Sequence, residues 1–166
     1  MADLIAVMSA GELQQLASPD EIYERPANRF VATFVGNPPM NVLPAEATAE
    51  GIGIGGSVLP IEATRLAACR AARVTHAGVR PEDLRFVDAH LPEALRGEVY
   101  VVEPMGNETL VDVRIGSDRV AVRAGRGFTA VIGSAIGVGV DLKDACFFGA
   151  NGSTVVHRVD NKRVKP

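Results

Sequence analysis

Residues 51–56 have a glycine spacing that nucleotide-binding proteins use. They satisfy the pattern GxGxxG, whose glycines let the backbone approach a pyrophosphate where a buried strand turns into a helix. Here residues 46–50 make a poor buried strand, and Pro60 follows too closely for a long helix to begin. Ser57 also stands where a P-loop requires a phosphate-binding lysine. We therefore predict a glycine-rich β-hairpin and no nucleotide site.

Nucleophilic and acid–base groups are scattered along the chain. His76, His90 and His157 lie in no nucleophile elbow of the GxSxG type. The carboxylates between residues 98 and 118 show no spacing that singles out an acid–base pair. Cys69 and Cys146 belong to no CxxC or Cys/His cluster, which predicts neither a disulfide framework nor a metal site. We expect no catalytic activity from this chain on its own, and no bound metal or cofactor.

Composition restricts the class of protein. The chain has 166 residues, of which 47% are hydrophobic and 22% charged, and its formal net charge is −3. This length suits one domain or one domain with an appended segment, and the hydrophobic content excludes a disordered chain. The negative charge and the missing basic–aromatic groove count against a nucleic-acid-binding domain. The two cysteines fit a reducing cytoplasm, and the N-terminus has no signal-peptide pattern.

Two strands and two short helices are predicted in residues 1–43. The strands are expected over residues 4–8 and 12–16, on either side of a turn. Ser18, with proline next and glutamate three residues on, has the capping-box pattern of a helix start. Pro26 is expected to end that helix and to open the next one. One face of the second helix carries Phe30, Val31, Phe34 and Val35.

From residue 42 onward the pattern predicts short strands with one helix among them. Period-2 alternation is clearest in residues 109–115, and the turn at 116–118 joins that strand to the next. A helix is expected over residues 62–72, where Ala, Leu and Arg favour it. The predicted strands are 42–49, 51–59, 74–79, 84–87, 98–102, 108–115, 119–122, 135–142 and 145–148. With too few helices for parallel crossovers, these strands predict a mainly β fold, a small barrel or sandwich.

Several segments carry a resemblance to a known family. Residues 20–41, DEIYERPANRFVATFVGNPPMN, resemble the segment that joins the ATPase domain to the regulatory domain in carbohydrate-import ABC ATPases. Residues 78–84, GVRPEDL, and 101–111, VVEPMGNETLV, resemble the transport-associated OB (TOBE) domain of those proteins. Residues 137–142 and 147–152 resemble its closing strand and turn, although Phe148 stands where the family usually has aspartate. The resemblance implies an OB-like barrel (TOBE-type) preceded by a short α/β remnant of an ABC ATPase domain.

The same resemblance implies a division of the chain. Residues 1–35 are expected to be the remnant of the ATPase domain, 36–41 a linker, 42–157 the TOBE/OB-like regulatory domain, and 158–166 a basic, solvated tail. The P-loop, Q-loop, LSGGQ signature, Walker B carboxylates and switch histidine of the family do not occur in the sequence. The chain is therefore expected to be a C-terminal fragment, with ATP and Mg²⁺ bound only by a parent subunit.

The resemblance also implies a function and partners. A parent subunit would drive import of a sugar or a glycerol-phosphate-like solute from the inner face of the plasma membrane. Its expected partners are a second copy of the subunit, the permease subunits contacted through the ATPase domain and, in some family members, a regulatory protein. Two other functions stay open. One is a small-oxyanion-binding barrel that uses backbone amides and hydroxyls, and the other is a free-standing nucleic-acid-binding OB domain.

Interface and regulatory residues are placed by the resemblance in two turns. They are Gly78, Arg80, Pro81, Glu82, Glu103, Gly106 and Glu108. Arg80 and Glu82 flank Pro81, and we expect them to pair across the turn or across a subunit interface as a rim ion pair. Residues 103–106 are expected to form a bulged bend where the barrel turns a corner.

Overall fold

The structure is a computed structural model that describes residues 3–159. Its strands are β1 Ile5–Ser9, β2 Glu12–Ala17, β3 Asn41–Ala47, β4 Ile52–Ile54, β5 Ser57–Leu59, β6 His76–Val79, β7 Leu84–Val87, β8 Leu95–Pro104, β9 Glu108–Ile115, β10 Asp118–Gly125, β11 Ala135–Val140, β12 Cys146–Phe148 and β13 Thr154–Val156. Its α-helices are α1 Pro19–Glu24, α2 Arg29–Phe34 and α3 Ala63–Ala71. Two 3-10 turns lie at Pro81–Asp83 and Leu142–Asp144.

The N-terminal unit, residues 3–35, is a β-hairpin packed on two short helices. β1 and β2 pair antiparallel around Ala10 and Gly11, both of which have positive φ. Ser18 caps α1 as predicted, because its side-chain oxygen accepts from the backbone N of Glu21 at 3.3 Å. A small core holds the hairpin and the helices together. It contains Val7, Ala17, Ile22 and Val31.

The start of α2 differs from the prediction. Asn28 caps this helix, not Pro26, and its Oδ1 accepts from the backbone N three residues on at 2.9 Å. Pro26 is held elsewhere, because its carbonyl accepts from the hydroxyl of Thr154 at 2.6 Å. A side-chain acceptor at Asn28 satisfies a helix-start N–H group, which proline cannot do.

The predicted apolar face of α2 is divided. Val31 and Ala32 are fully buried, whereas Phe30 is 37% and Phe34 is 65% exposed. The two phenylalanine rings stack on each other with centroids 5.5 Å apart. A helix of fewer than two turns buries only the side that faces its neighbours, so the aromatic pair stays on the surface. Among residues 3–159 no helix is long and apolar enough to cross a membrane.

The β domain, residues 41–159, consists of two antiparallel sheets. One has the order β10–β9–β8–β11–β7 and the other β13–β12–β6–β3–β4–β5. The main core contains buried residues of both sheets, such as Val111 of β9 and Ile52 of β4. Asn41, at the start of β3, joins its sheet to the edge strand β10 of the other sheet, since its side chain donates to Ala121 O and accepts from Ala121 N, both at 2.8 Å. The mainly β, OB-like prediction is confirmed, but the sheets do not close into a barrel.

Most predicted elements lie where the pattern placed them. β7 and β9 have the predicted bounds, and α3 lies inside the predicted helix. The glycine-rich stretch forms the β4–β5 hairpin, with positive φ at Gly55 and Gly56. β13 was not predicted, because three residues are too few to show an alternation.

The bend expected at residues 103–106 lies elsewhere. The irregularity of β8 is at Tyr100, where the register against β9 shifts. Residues 103–106 instead end the β8–β9 hairpin, where Met105 N donates to Glu108 O at 2.8 Å. Gly106 takes a φ of +91° in that turn, a value that favours glycine.

Candidate functional site

The turn at Pro81–Asp83 connects β6 to β7 and lies against the N-terminal unit. Pro81 occupies the first position of the 3-10 turn, where its fixed φ is suited to a helix start, and it is buried. Arg80 precedes it in extended conformation. Gly78, two residues earlier, is packed so closely that an added Cβ would lie 2.6 Å from Met40 Sδ and 2.7 Å from Phe148 Cε2. The turn is therefore held by the burial of Pro81 and by the close packing of the strand that precedes it.

Arg80 is completely buried and caps both short helices of the N-terminal unit. Its Nη1 donates to the carbonyls of Ala32 at 3.2 Å and Val35 at 2.6 Å, and its Nη2 donates to the carbonyl of Tyr23 at 2.7 Å. The guanidinium also lies over the ring of Tyr23, 3.9 Å from the centroid. These carbonyls belong to the C-terminal ends of α1 and α2, where carbonyls lack intrahelical partners and the helix dipole is negative.

The expectation of a rim ion pair between Arg80 and Glu82 is wrong, because Arg80 is buried and donates to backbone carbonyls instead. Burial lowers the pKa of Arg80, while the nearby Tyr23 and Glu82 oppose that shift. Arginine nevertheless stays protonated in proteins, so a full positive charge is held at the two helix ends. The reason for the difference is local, because six-residue helices leave carbonyls that need donors, and the guanidinium supplies them.

Glu82 takes different partners. It accepts a hydrogen bond from the hydroxyl of Tyr23, and its carboxylate lies 3.8 Å from Nε of Arg123. Burial, and then the hydrogen bond and charge of Glu82, raise the pKa of Tyr23 to about 12. Arg123 Nη1 also contacts both carboxylate oxygens of Glu108, at 2.8 and 3.0 Å, and its Nη2 donates to Asn37 O at 2.6 Å. Since these side chains are about a third exposed, each ion pair contributes only about 0–1 kcal/mol.

A second arginine holds the other end of the turn. Arg158 Nη1 lies 2.8 Å from Glu24 and 3.1 Å from Asp83, and Nη2 lies 3.4 Å from Asp144. Burial lowers the pKa of Arg158, but the three carboxylates outweigh it and the net shift is upward. Burial raises the pKa of Asp83 against the opposing charge of Arg158. We call Arg80, Arg158 and the groups they bind the arginine clamp.

The prediction of a basic, solvated tail over residues 158–166 is wrong for its first residue. Arg158 is 9% exposed and paired, because three carboxylates from α1, the turn and the 3-10 turn at Leu142–Asp144 surround it. Residues 160–166 lie outside the described part of the chain.

The predicted site residues therefore separate into two groups. The structure brings together Gly78, Arg80, Pro81, Glu82 and Glu108, the last through Arg123. Glu103 and Gly106 lie at the exposed end of the β8–β9 hairpin.

Sequence reasoning missed Arg123, Arg158 and the role of Tyr23. Of these three residues, only Tyr23 could have been found from the sequence, because it lies in the segment 20–41 that resembles the known family. An arginine on a half-exposed strand or near the chain end shows nothing in sequence that separates it from a solvated one.

The glycine-rich hairpin borders a cavity of about 460 Å³ on the β3–β5 side of the domain. Its polar lining residues include Glu46, Thr48, Ser57 and Thr75, and no Lys or Arg of the described residues lines it. A carboxylate without a cation is unfavourable for a phosphate or oxyanion. Within residues 3–159 no group of three or more His, Cys, Asp or Glu side chains is placed to hold a metal ion.

Comparison with protein families matches the TOBE domain to residues 77–148, a range that begins in β6 and ends in β12. It includes the turn at Pro81–Asp83 and both strands of the β8–β9 hairpin. The chain therefore carries a TOBE domain. The resemblance found in residues 78–84 and 101–111 is confirmed by this match.

Relatives of known name extend the similarity beyond the TOBE domain. The chain is 42% identical over 126 residues to the trehalose/maltose import ATP-binding protein MalK of Thermococcus litoralis, covering 70% of this chain and 34% of that protein. It is 42% identical over 115 residues to the alpha-glucoside transport ATP-binding protein AglK of Rhizobium meliloti, covering 67% and 32%. It is 33% identical over 159 residues to the sn-glycerol-3-phosphate import ATP-binding protein UgpC 3 of Agrobacterium fabrum, covering 93% and 43%.

The chain spans about a third to two fifths of the length of these relatives. It is homologous to part of the ATP-binding proteins of ABC transporters that are named for import of sugars or sn-glycerol-3-phosphate, as the resemblance predicted. Within it, the arginine clamp joins the TOBE domain to residues on either side. Tyr23 and Glu24 precede residues 77–148, and Arg158 follows them.

Proposed function

We propose that this chain is the regulatory and dimerisation part of the ATP-binding subunit of an ABC importer for sugars or related solutes. The observation that carries the proposal is the TOBE match together with 42% identity to a trehalose/maltose import ATP-binding protein. ATP binding and hydrolysis would belong to the part of such a subunit that this chain does not match. The chain itself, without a P-loop, a signature motif or Walker B carboxylates in its sequence, would bind neither ATP nor Mg²⁺.

An exposed apolar face supports the assignment of residues 1–35 to an ATPase domain. Val7 and Ala17 of the β1–β2 hairpin point into the small core, while the opposite face carries Leu4, Met8, Leu13 and Leu16, all more than half exposed. Clustered apolar side chains of this kind mark a surface that another surface covers. We assign that face to contact with the ATP-binding domain of the complete subunit.

The proposed partners follow from the same assignment. A second copy of the subunit would pair with this one, permease subunits would be contacted through the ATPase domain, and a regulatory protein would bind the TOBE domain. The assembly would sit at the inner face of the plasma membrane. The exposed members of the predicted site, Glu82, Glu103 and Gly106, and the partly exposed Glu108 are the candidates for these contacts. Arg80 is excluded from direct contact because it is buried.

Self-association tests the dimerisation part of the proposal. The isolated chain is expected to be a monomer or a dimer of micromolar or weaker affinity. Without the ATPase domains, the contact area between two copies would be less than the roughly 1,000 Å² of a stable interface. If sedimentation equilibrium shows a weak dimer, Glu103→Arg at the exposed hairpin end should change its dissociation constant, whereas Glu93→Arg in the β7–β8 loop should leave it unchanged. A nanomolar dimer would contradict the expected weak association. Arg80→Glu is unsuitable here, because it would bury an acid among carbonyl oxygens.

A chimera tests the function itself. The matched 126-residue part of the Thermococcus litoralis import protein would be replaced by the corresponding part of this chain. We expect the chimera to dimerise and to hydrolyse ATP, and calorimetry with the isolated chain to show no saturable ATP binding. A folded chimera that stays monomeric, or micromolar ATP binding by the chain alone, would contradict the proposal.

A further inference from the structure

Two sets of contacts join the N-terminal unit to the β domain. The arginine clamp binds the C-terminal ends of α1 and α2, as described above. The second set lies at β13, where Thr154 donates through its backbone N to Ala27 O at 2.9 Å and through its hydroxyl to Pro26 O at 2.6 Å. Arg29 N donates to Gly152 O at 2.8 Å. The pair of helices is thus held at both C-terminal ends and at the segment between them.

Residues 36–40, part of the segment 36–41 that was expected to be a linker, are held at both ends against the same region. Gly36 has a φ of +113°, and an added Cβ there would lie 3.1 Å from Nη1 of Arg80. Met40 is buried, and its backbone N donates to Ala32 O at 3.3 Å. Segments that open easily have few buried contacts and solvent-exposed backbone hydrogen bonds. Although Gly36, Asn37 and Pro39 are exposed, residues 36–40 are anchored, because Met40 is buried and Arg123 Nη2 donates to Asn37 O at 2.6 Å.

We propose that α1, α2, residues 36–40 and the β domain open only as one cooperative unit, and that the hydrogen bonds of Arg80 couple them. No hinge then operates between the two units at residues 36–41. A movement of this protein against any further domain would have to pivot outside residues 18–41. The inference does not rest on the importer assignment.

The geometry of Arg80 explains why the coupling is all-or-none. Its three acceptors belong to two different helices, so a rotation of the N-terminal unit strains several hydrogen bonds at once. Partial opening would leave a charged guanidinium and helix-end carbonyls buried without partners. Hydrogen bonds from charged donors are among the stronger ones in proteins, and leaving such groups unpaired is more costly still.

Native-state hydrogen exchange of the wild-type chain over a urea series tests the coupling. Ala32 reports on α2, because its amide is buried and donates to Asn28 O at 3.1 Å. Val111 and Val113 report on β9. If the unit is cooperative, the protection of Ala32 stays within about threefold of the β9 amides and has the same urea dependence. Protection of Ala32 about 100-fold lower, with little urea dependence, would overturn the proposal.

The role of Arg80 is tested by Arg80→Lys, which keeps the charge but loses the planar fork. The matched control is Arg119→Lys, since Arg119 is exposed and also lies over a tyrosine ring, 3.8 Å from the centroid of Tyr100. We expect Arg80→Lys to lower the protection of Ala32 about 100-fold more than that of β9, and the control to change neither. A folded Arg80→Lys variant in which the protection of Ala32 still matches that of β9 would show that Arg80 does not couple the two units. If this variant does not fold, the wild-type comparison decides alone.

Discussion

Replacement of Gly78 by alanine should destabilise the protein by steric conflict alone. The added Cβ would lie 2.6 Å from Met40 Sδ and 2.7 Å from Phe148 Cε2, well inside normal contact distance. Met40 and Phe148 are both buried, so neither can swing into solvent to relieve the overlap. Overpacking of this kind costs about 1–3 kcal/mol. With a urea dependence of about 2 kcal/mol/M, the unfolding midpoint should fall by roughly 0.5–1.5 M.

Gly125 offers a matched control for the same substitution. It also lies in a strand of the β domain, and an added Cβ there would meet no atom within 4 Å. Gly125→Ala should therefore change the unfolding free energy by less than about 0.5 kcal/mol. Urea unfolding followed by far-ultraviolet circular dichroism compares the two variants directly. Equal midpoints would refute the steric argument.

A double-mutant cycle locates the conflict. Met40→Ala removes the sulfur nearest to the added Cβ, at the expense of a cavity that itself costs about 2–5 kcal/mol. Combined with Gly78→Ala, it should destabilise less than the sum of the single variants by about 1 kcal/mol, because part of the overlap is gone. Strict additivity would mean that Phe148 alone, or a backbone shift, accounts for the loss.

Three further outcomes are expected. Burial and then the charge of Arg29 lower the pKa of His76 from its ordinary value of 6.5, so the unfolded chain binds the proton more tightly and stability is lost progressively as the pH falls below 6.5 towards the lower folded pKa. Urea unfolding between pH 8 and 5 should show a flatter dependence for His76→Gln but not for His90→Gln, and the reverse order would contradict the assignment. Burial raises the pKa of Cys69 to about 11 and also raises that of Cys146, so neither thiol should react with a disulfide reagent at pH 8 until urea unfolds the chain, and rapid native reaction would exclude this packing. Amides of the β1–β2 hairpin should exchange faster than those of β9, because one face of the hairpin is exposed, and equal protection would contradict the proposal that another domain covers that face.

Those parts of the fold that depend on local pattern could be predicted from the sequence. β9 was predicted with its bounds because its buried and half-exposed positions alternate over eight residues. The glycine-rich hairpin was predicted because residues 51–56 lacked the strand and helix that a nucleotide site requires. The N-cap at Ser18 was also predicted from a local pattern, because the start of a helix is determined by residues within one turn.

The site could be predicted only in part, because its contacts join residues far apart in the chain. The resemblance located Arg80 in a motif, but an ion pair with Glu82 was the expectation from sequence neighbours. The actual acceptors are the carbonyls of Tyr23, Ala32 and Val35, which are 45 to 57 positions away. Backbone carbonyls have no residue signature, so a side chain that binds them leaves no pattern to detect.

Arginine at position 80 is explained by the two helices that it caps rather than by its own turn. Helices of six residues have most of their carbonyls in a terminal turn, and three carbonyls at the ends of α1 and α2 accept from Arg80 here. A leucine would fill the volume but leave the carbonyls without donors, whereas a lysine has donors on one atom only. The guanidinium alone has donors spread over a planar fork wide enough to reach both helices and a face that can lie on Tyr23. The residue type in this turn therefore depends on how the N-terminal unit is docked.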